Sequence, residues 1–160
     1  MMKIIGITGT LGAGKGTIVD YLIKEKKYLH FSVRAYLIKQ IHKRGLEVNR
    51  DSMTMVANEL RAQNNPAYVV EELYKDAVQS GINSVIESIR TPGEIEFLKS
   101  KGNFILLAVD ADPVIRYNRI TLRASETDNI DFNTFIANEK REMTSTDPNK
   151  QNLSKCIEKA

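Results

Sequence analysis

Gly9-Thr10-Leu11-Gly12-Ala13-Gly14-Lys15-Gly16-Thr17 decides how the rest of this chain is read. The short apolar run Ile4-Ile5-Gly6-Ile7 stands before it and reads as a buried strand. After it, from Thr17 to Lys26, Ile18, Tyr21 and Leu22, with Val19, recur at helical spacing. Strand, glycine-rich turn, lysine and helix form the order that a phosphate-binding loop requires. Glycines let the backbone curl until several N–H groups face one concavity. The first turn of the helix adds unpaired N–H groups and the positive end of its dipole. Lys15 adds a full charge that can reach the β- and γ-phosphates of a nucleoside triphosphate. Gly9, Leu11, Gly12, Ala13, Gly14, Lys15, Gly16 and Thr17 are therefore the candidate residues for holding ATP. The plainer reading, a strand-to-helix turn that needs glycine, leaves the order of these features to chance.

Composition narrows what surrounds the loop. The 160 residues suit one domain with a sizeable core, and the net charge of +3 is mild. No dense basic stripe with interleaved aromatics supports nucleic-acid binding. The longest apolar run is far below a membrane span, and Met1-Met2-Lys3 leads straight into a strand rather than a signal peptide. The single cysteine, Cys156, leaves no internal disulfide and suits a reducing, cytoplasmic setting. His30 and His42 are far apart, so no zinc-type ligand spacing is present.

Downstream, strands and helices alternate. Tyr28 to Ser32 reads as a second strand, and Ser32 caps a helix from Val33 to Arg44. Asn49-Arg50-Asp51-Ser52 opens another, and Pro66 suits the first turn of the next, which runs to about Gln79. Ser84 to Ser88 is a third strand. Thr91-Pro92-Gly93-Glu94 then reads as a capping box with proline at the first helical position. The unbroken apolar run Phe104 to Val109 predicts a central parallel strand, and Asp112-Pro113 caps a helix to about Arg123. Helices over about 132–143 and near the end of the chain complete the pattern. The expected class is three-layer α/β/α with a mostly parallel sheet. Ligands in such sheets sit at the carboxyl ends of the strands.

Those ends carry the remaining chemistry. Glu87-Ser88-Ile89-Arg90 follows the third strand. A carboxylate there can organise magnesium and its waters or help take a proton, and an arginine just beyond can hold a substrate phosphate with its planar fork. Arg116, Arg119 and Arg123 recur at spacings of three and four, a cationic helix face that reads as phosphate contacts. The polar segment Ala124 to Asp131, with Glu126 and Asp128, is a candidate lid that would close over the reacting groups. Arg34, Tyr36, Lys39, Arg44 and Arg61 are available to cover an acceptor.

Together these pieces resemble the P-loop nucleotide kinases (adenylate kinase and other nucleoside monophosphate kinases), most closely the dephospho-coenzyme A kinase-like branch. The resemblance rests on the loop, on Arg44-Gly45-Leu46 and on Ala57-Asn58-Glu59-Leu60-Arg61. It also rests on Glu87 to Phe97, on Val109 to Pro113 with Arg116 and Arg119, and on Glu139-Lys140-Arg141-Glu142. It implies an ATP phosphotransferase with a nucleotide-like acceptor. Lys15, Glu87, Arg90, Arg119 and Arg123 would be the catalytic set, and Arg119 would also bind ATP. Thr17 and Glu87 would attend Mg2+ through water. Two departures mark the chain: Glu87-Ser88 stands where monophosphate kinases carry Asp-Gly, and the helix after Ser32 lacks their aspartate and arginine. Dephospho-coenzyme A kinase and a nucleotide-sensing module with little turnover are the alternative readings. Some proteins with this pattern are fused to a deoxycytidylate deaminase domain, so association with another nucleotide-metabolism domain is among the expected partners. The fold type also predicts a fifth strand and a last helix, which a single domain over residues 1–160 lacks.

Overall fold

A computed structural model describes residues 1–125 and 127–160. Four parallel strands form one sheet: β1 (Ile4–Gly9), β2 (Leu29–Ser32), β3 (Ser84–Glu87) and β4 (Phe104–Val109), in the order β2-β3-β1-β4. Eight helices connect or flank them among the described residues: α1 (Lys15–Lys24), α2 (Val33–Lys43), α3 (Arg50–Gln63), α4 (Tyr68–Ser80), α5 (Pro92–Ser100), α6 (Pro113–Arg123), α7 (Phe132–Met143) and α8 (Leu153–Glu158). This is the expected three-layer α/β/α class.

Alternation along the strands divides the core between the two faces of the sheet. Ile5 and Ile7 of β1 and Val85 of β3 meet Val19 and Leu22 of α1. Ile4, Ile86 and Leu106 point the other way, into the larger cluster formed with α2, α3, α4, α5 and Cys156 of α8. On α1 the buried stripe is Val19 and Leu22, whereas Tyr21 is exposed and Ile18 only partly buried. The helix is therefore rotated from the face that the Ile18–Tyr21 spacing suggests.

Two other expectations change. β4 forms an edge, paired only with β1 among the described residues, and its Ile105 is 46% exposed. An unbroken apolar run fits a strand buried on both faces, but here it lies outermost. Pro66 precedes the N-cap of α4, Ala67, and so lies outside the helix. The Asn65 side chain takes the Ala67 N–H at 2.8 Å and makes the turn there. At α5 the Thr91–Glu94 capping box forms as read, with Pro92 at the start of the helix.

Candidate functional site

The carboxyl ends of β1 and β3 open into one cavity of about 400 Å³. Its first wall is the phosphate loop. Gly12 and Gly14 take the left-handed backbone (φ 78° and 102°), and Gly14 is the N-cap of α1. Gly9 is required for a different reason: a Cβ there would lie 1.9 Å from the Val109 carbonyl oxygen of the neighbouring strand. Lys15 Nζ folds across the loop and donates to the carbonyls of Thr10 (2.5 Å) and Gly9 (3.3 Å). Burial, with the nearby charge of Arg90 next in weight, pulls the Lys15 ammonium down to about 7. A bound polyphosphate would supply the counter-charge it lacks.

The loop is braced from behind. Arg116, only 2% exposed, donates to the carbonyls of Ala111 (2.7 Å) and Leu11 (3.3 Å) and to both oxygens of Glu139 on α7. It is thus a strut under the loop rather than a phosphate contact. The cationic stripe divides there: Arg119 reaches the front, where its Nη1 donates to the Gly12 carbonyl at 3.3 Å. Arg123 lines the cavity but also forks onto Asp128, with its Nε and Nη2 each 2.7 Å from a carboxylate oxygen. Burial pushes the Asp128 carboxyl up, but hydrogen bonds from Arg123 and Ser125 outweigh it and hold the group below its ordinary range. Thr127, in the same candidate lid segment, accepts from Arg34 Nη1 of α2 at 3.0 Å, tying the loop after α6 to the opposite side of the cleft. Glu126 lies outside the described residues.

The second wall begins at the end of β3. Ser88 adopts a left-handed backbone, φ 71°, unusual for a residue with a side chain. The chain then rejoins β1: Ile89 N donates to the Ile7 carbonyl and Ile89 O accepts from Thr8 Oγ1. The kink turns Glu87 and Arg90 both into the cavity. It also accounts for the first sequence departure, since Ser88 holds the backbone shape that glycine would take freely. Glu87 Oε2 lies 2.8 Å from His30 Nε2 on β2, and that hydrogen bond keeps the Glu87 carboxyl below its ordinary range.

Arg90 does not stand alone. Its Nη1 donates to Glu142 Oε2 (3.1 Å) and Gln151 Oε1 (3.0 Å), and Arg50 Nη2 reaches the same Glu142 oxygen at 2.6 Å. Glu142 is 2% exposed. Burial pushes its carboxyl up, but Arg50 and Arg90 more than compensate, and the group stays ionised. Deeper still, Arg61 Nη2 donates to Glu94 Oε1 at 3.1 Å with neither side chain exposed. Glu94 Oε2 accepts the backbone N–H groups of Arg90 and Thr91. The capping box seen in the sequence therefore also anchors the arginine loop.

Of the residues singled out from sequence, Leu11 to Thr17, Glu87, Arg90, Arg119, Arg123, Arg34 and Arg61 line this one cavity. Gly9 lies behind it. Tyr36, Lys39 and Arg44 do not line it, and Arg44 pairs with Glu59 instead. Arg50, which the sequence marks only as part of a helix start, lines the cavity with Met53, Thr54, Ala57 and Arg61. Residues 50, 54, 57 and 61 share one helical face, a signal present in the sequence. Thr17 and Glu87 both line the cavity, and their side chains offer the hard oxygen donors that Mg2+ held through water would take.

Loop, sheet and cavity define the P-loop nucleotide-binding class with a kinase-type fold. The AAA domain family matches residues 5–147, and a UPF0200 protein of Methanococcus maripaludis is 31% identical over 151 residues, covering 89% of this chain and 79% of that protein. The chain belongs to the AAA domain family and to the UPF0200 proteins. Among solved structures, TT1252 from Thermus thermophilus superposes with a TM-score of 0.54 at 20% identity, over 87% of this chain and 79% of that one. A gluconokinase from Sinorhizobium meliloti superposes with a TM-score of 0.51 at 11% identity, over 98% and 87%. At such identities the likeness is one of fold.

Proposed function

We propose that this protein is an ATP-dependent phosphotransferase that moves the γ-phosphate to a nucleotide-like small-molecule acceptor. The observation that carries the reading is a single cavity with a phosphate loop on one wall and Arg34, Arg50, Arg61 and Arg90 on the other. Phosphoryl transfer needs little covalent help from the protein; it needs position and positive charge on the moving oxygens. In this reading the loop amides and Lys15 hold the β- and γ-phosphates, and Arg119 and Arg123 neutralise charge on the transferring group. Glu87 orients the attacking oxygen or the waters of a bound cation. Mg2+, when bound near Thr17 and Glu87, would screen the phosphate charges. The likeness to the Sinorhizobium meliloti gluconokinase adds support of fold only. No helix is long and apolar enough to cross a membrane among the described residues. A cytoplasmic setting, and association with a further nucleotide-metabolism domain, belong to the same reading.

ADP release from Mg-ATP, measured with CMP, dCMP, UMP, AMP, dTMP and dephospho-coenzyme A, tests it. Stimulation by a nucleotide acceptor is expected. Stimulation by dephospho-coenzyme A alone would name that kinase instead. A nucleotide-sensing module is the second reading, favoured by the fork of Arg123 on Asp128, which engages a transition-state arginine elsewhere. Tight ATP binding with no stimulation by any acceptor would favour it.

A further inference from the structure

We infer that a second copy of this chain pairs antiparallel with the open edge of β4, so that two four-stranded sheets join into one across a two-fold axis. The inference stands on the sheet and is independent of the phosphotransferase reading. Three observations carry it. First, the edge is open and regular. The Asn103 and Val109 carbonyls accept from the N–H groups of Ile4 and Thr10, and strand alternation puts the backbone groups of Ile105 and Leu107 on that same side. The N–H and C=O groups of Phe104, Leu106 and Ala108 therefore point away from β1, and β4 pairs with no other strand among the described residues. Ala108 is exposed. β4 holds neither proline nor a charged residue, two of the devices that keep an edge from pairing. Second, the edge is flanked by apolar side chains. Ile105 shares the face on which α1 covers Ile5 and Ile7 of β1, yet it is 46% exposed, and Leu107 and Val109 beside it are only partly buried. Third, the charges fit a second copy. Lys99 and Lys101 precede β4, Asp110 and Asp112 follow it, and all four are exposed.

Two copies of one edge meet under a two-fold axis only in the antiparallel sense, and such a contact closes on itself. It brings the basic end of one strand to the acidic end of the other. With Leu106 opposite Leu106 of the second copy, Phe104 faces Ala108, and every outward N–H and C=O of the three residues finds a partner. In that register Ile105 stands opposite Leu107 on the exposed face, an apolar cross-strand pair. A shift by one residue would set outward backbone groups against inward ones. The sheet's other edge, β2, is shorter, with four residues, and pairing β4 of one copy with β2 of the next would not close.

The test is sedimentation velocity of the full chain over a range of concentrations, with amide hydrogen exchange followed by NMR on the same samples. A reversible dimer of twice the 18.1 kDa chain is expected, with exchange at Phe104, Leu106 and Ala108 slowing as concentration rises. Ala108→Pro removes an outward N–H, leaves the ladder to β1 intact, and should raise the dimer dissociation constant by about tenfold or more. Ile105→Lys sets a charge on the exposed apolar face and should do the same, by about tenfold or more. Lys101→Glu should weaken the dimer by about two- to fivefold, the usual effect of exposed charge pairs. A monomer at every concentration would overturn the inference. So would a dimer in which these three amides exchange as in the monomer, wild-type association of Ile105→Lys, or open-ended species larger than a dimer. Tighter association of Lys101→Glu would overturn the antiparallel alignment. If Ala108→Pro fails to unfold cooperatively, Ile105→Lys decides; if both fail, the concentration dependence of exchange in the wild type decides alone.

Discussion

In the proposed function the two walls of the cavity have the same task, holding phosphate, and meet it with different materials. The loop wall uses backbone: left-handed glycines, a helix N-terminus and one lysine. The opposite wall uses side chains, with Arg50, Arg61 and Arg90 drawn from two segments and fixed by the buried carboxylates Glu94 and Glu142. Backbone donors come pre-oriented by local geometry and need no partner to stay in place. A flexible guanidinium must be pinned by another charge, and that charge must be buried with it. The loop wall is thus local in sequence, whereas the arginine wall depends on tertiary structure.

The contrast predicts unequal damage. Removing Glu94 should hurt the fold most. Glu94→Ala leaves Arg61 charged and unpaired at zero exposure and strips two capping hydrogen bonds from the start of α5. A loss of about 3–5 kcal/mol is expected, read as the shift in urea midpoint at constant slope. If stability stays within about 1 kcal/mol of wild type, the arginine wall does not depend on its counter-ions.

On the loop wall, damage should fall on chemistry instead. Lys15 makes only side-chain hydrogen bonds to two loop carbonyls. Lys15→Ala should therefore keep the urea midpoint and lower ATP-dependent transfer by about 10²–10³-fold, the usual effect of one lost charge-stabilising donor. Turnover equal to wild type would remove the lysine from the mechanism.

Lys15 also sets a pH dependence. With its ammonium pulled down to about 7 in the empty site from an ordinary 10.5, the unfolded chain binds more protons between those values. Its cost to stability is therefore full below pH 7 and shrinks as pH rises toward 10.5. Nucleotide reverses the bias, because phosphates favour the protonated form. Binding should take up a proton above pH 7, and ADP affinity should fall with rising pH by up to about tenfold per unit, while staying flat below 7. Calorimetry in buffers of different ionisation enthalpy measures the proton directly; no uptake at pH 8 would contradict the burial argument.

Legibility in the sequence follows the same division. The loop, the parallel sheet, the Thr91–Glu94 cap and the contribution of Glu87 and Arg90 could be read because each is a local pattern. Arg50 was hidden because it opens a helix, where a charged residue is unremarkable, and its partner Glu142 lies 92 residues away. Arg116 reads as a phosphate ligand in the sequence for the same reason. Its spacing with Arg119 is right, but Glu139 on another helix pulls it behind the loop. β4 reads as central because hydrophobicity reports how apolar a strand is, not which neighbour it pairs with. Gly16, by contrast, stands where phosphate loops usually carry a hydroxyl, and a Cβ there would meet nothing within 4 Å. Gly16→Ser should fold normally and tighten Mg-ATP binding by about two- to tenfold, with no gain when EDTA removes the metal. An equal gain without metal would assign the hydroxyl to phosphate rather than to the cation.

Ser88 is where the arginine wall borrows the backbone device of the loop. Its φ of 71° costs a side-chain-bearing residue about 1–2 kcal/mol, and glycine would avoid that cost while losing about 0.5–1 kcal/mol in chain entropy. Ser88→Gly should therefore be slightly more stable, by about 1 kcal/mol or less, with Glu87 and Arg90 still aimed into the cavity. Ser88→Val places a β-branched side chain in the same conformation and should be less stable by about 1–2 kcal/mol. Opposite signs for the two variants in thermal unfolding would establish that the left-handed kink, and not the hydroxyl, is what this position supplies. Equal destabilisation by both would mean that the serine side chain makes a contribution of its own, and the likeness between the two walls would end at Lys15.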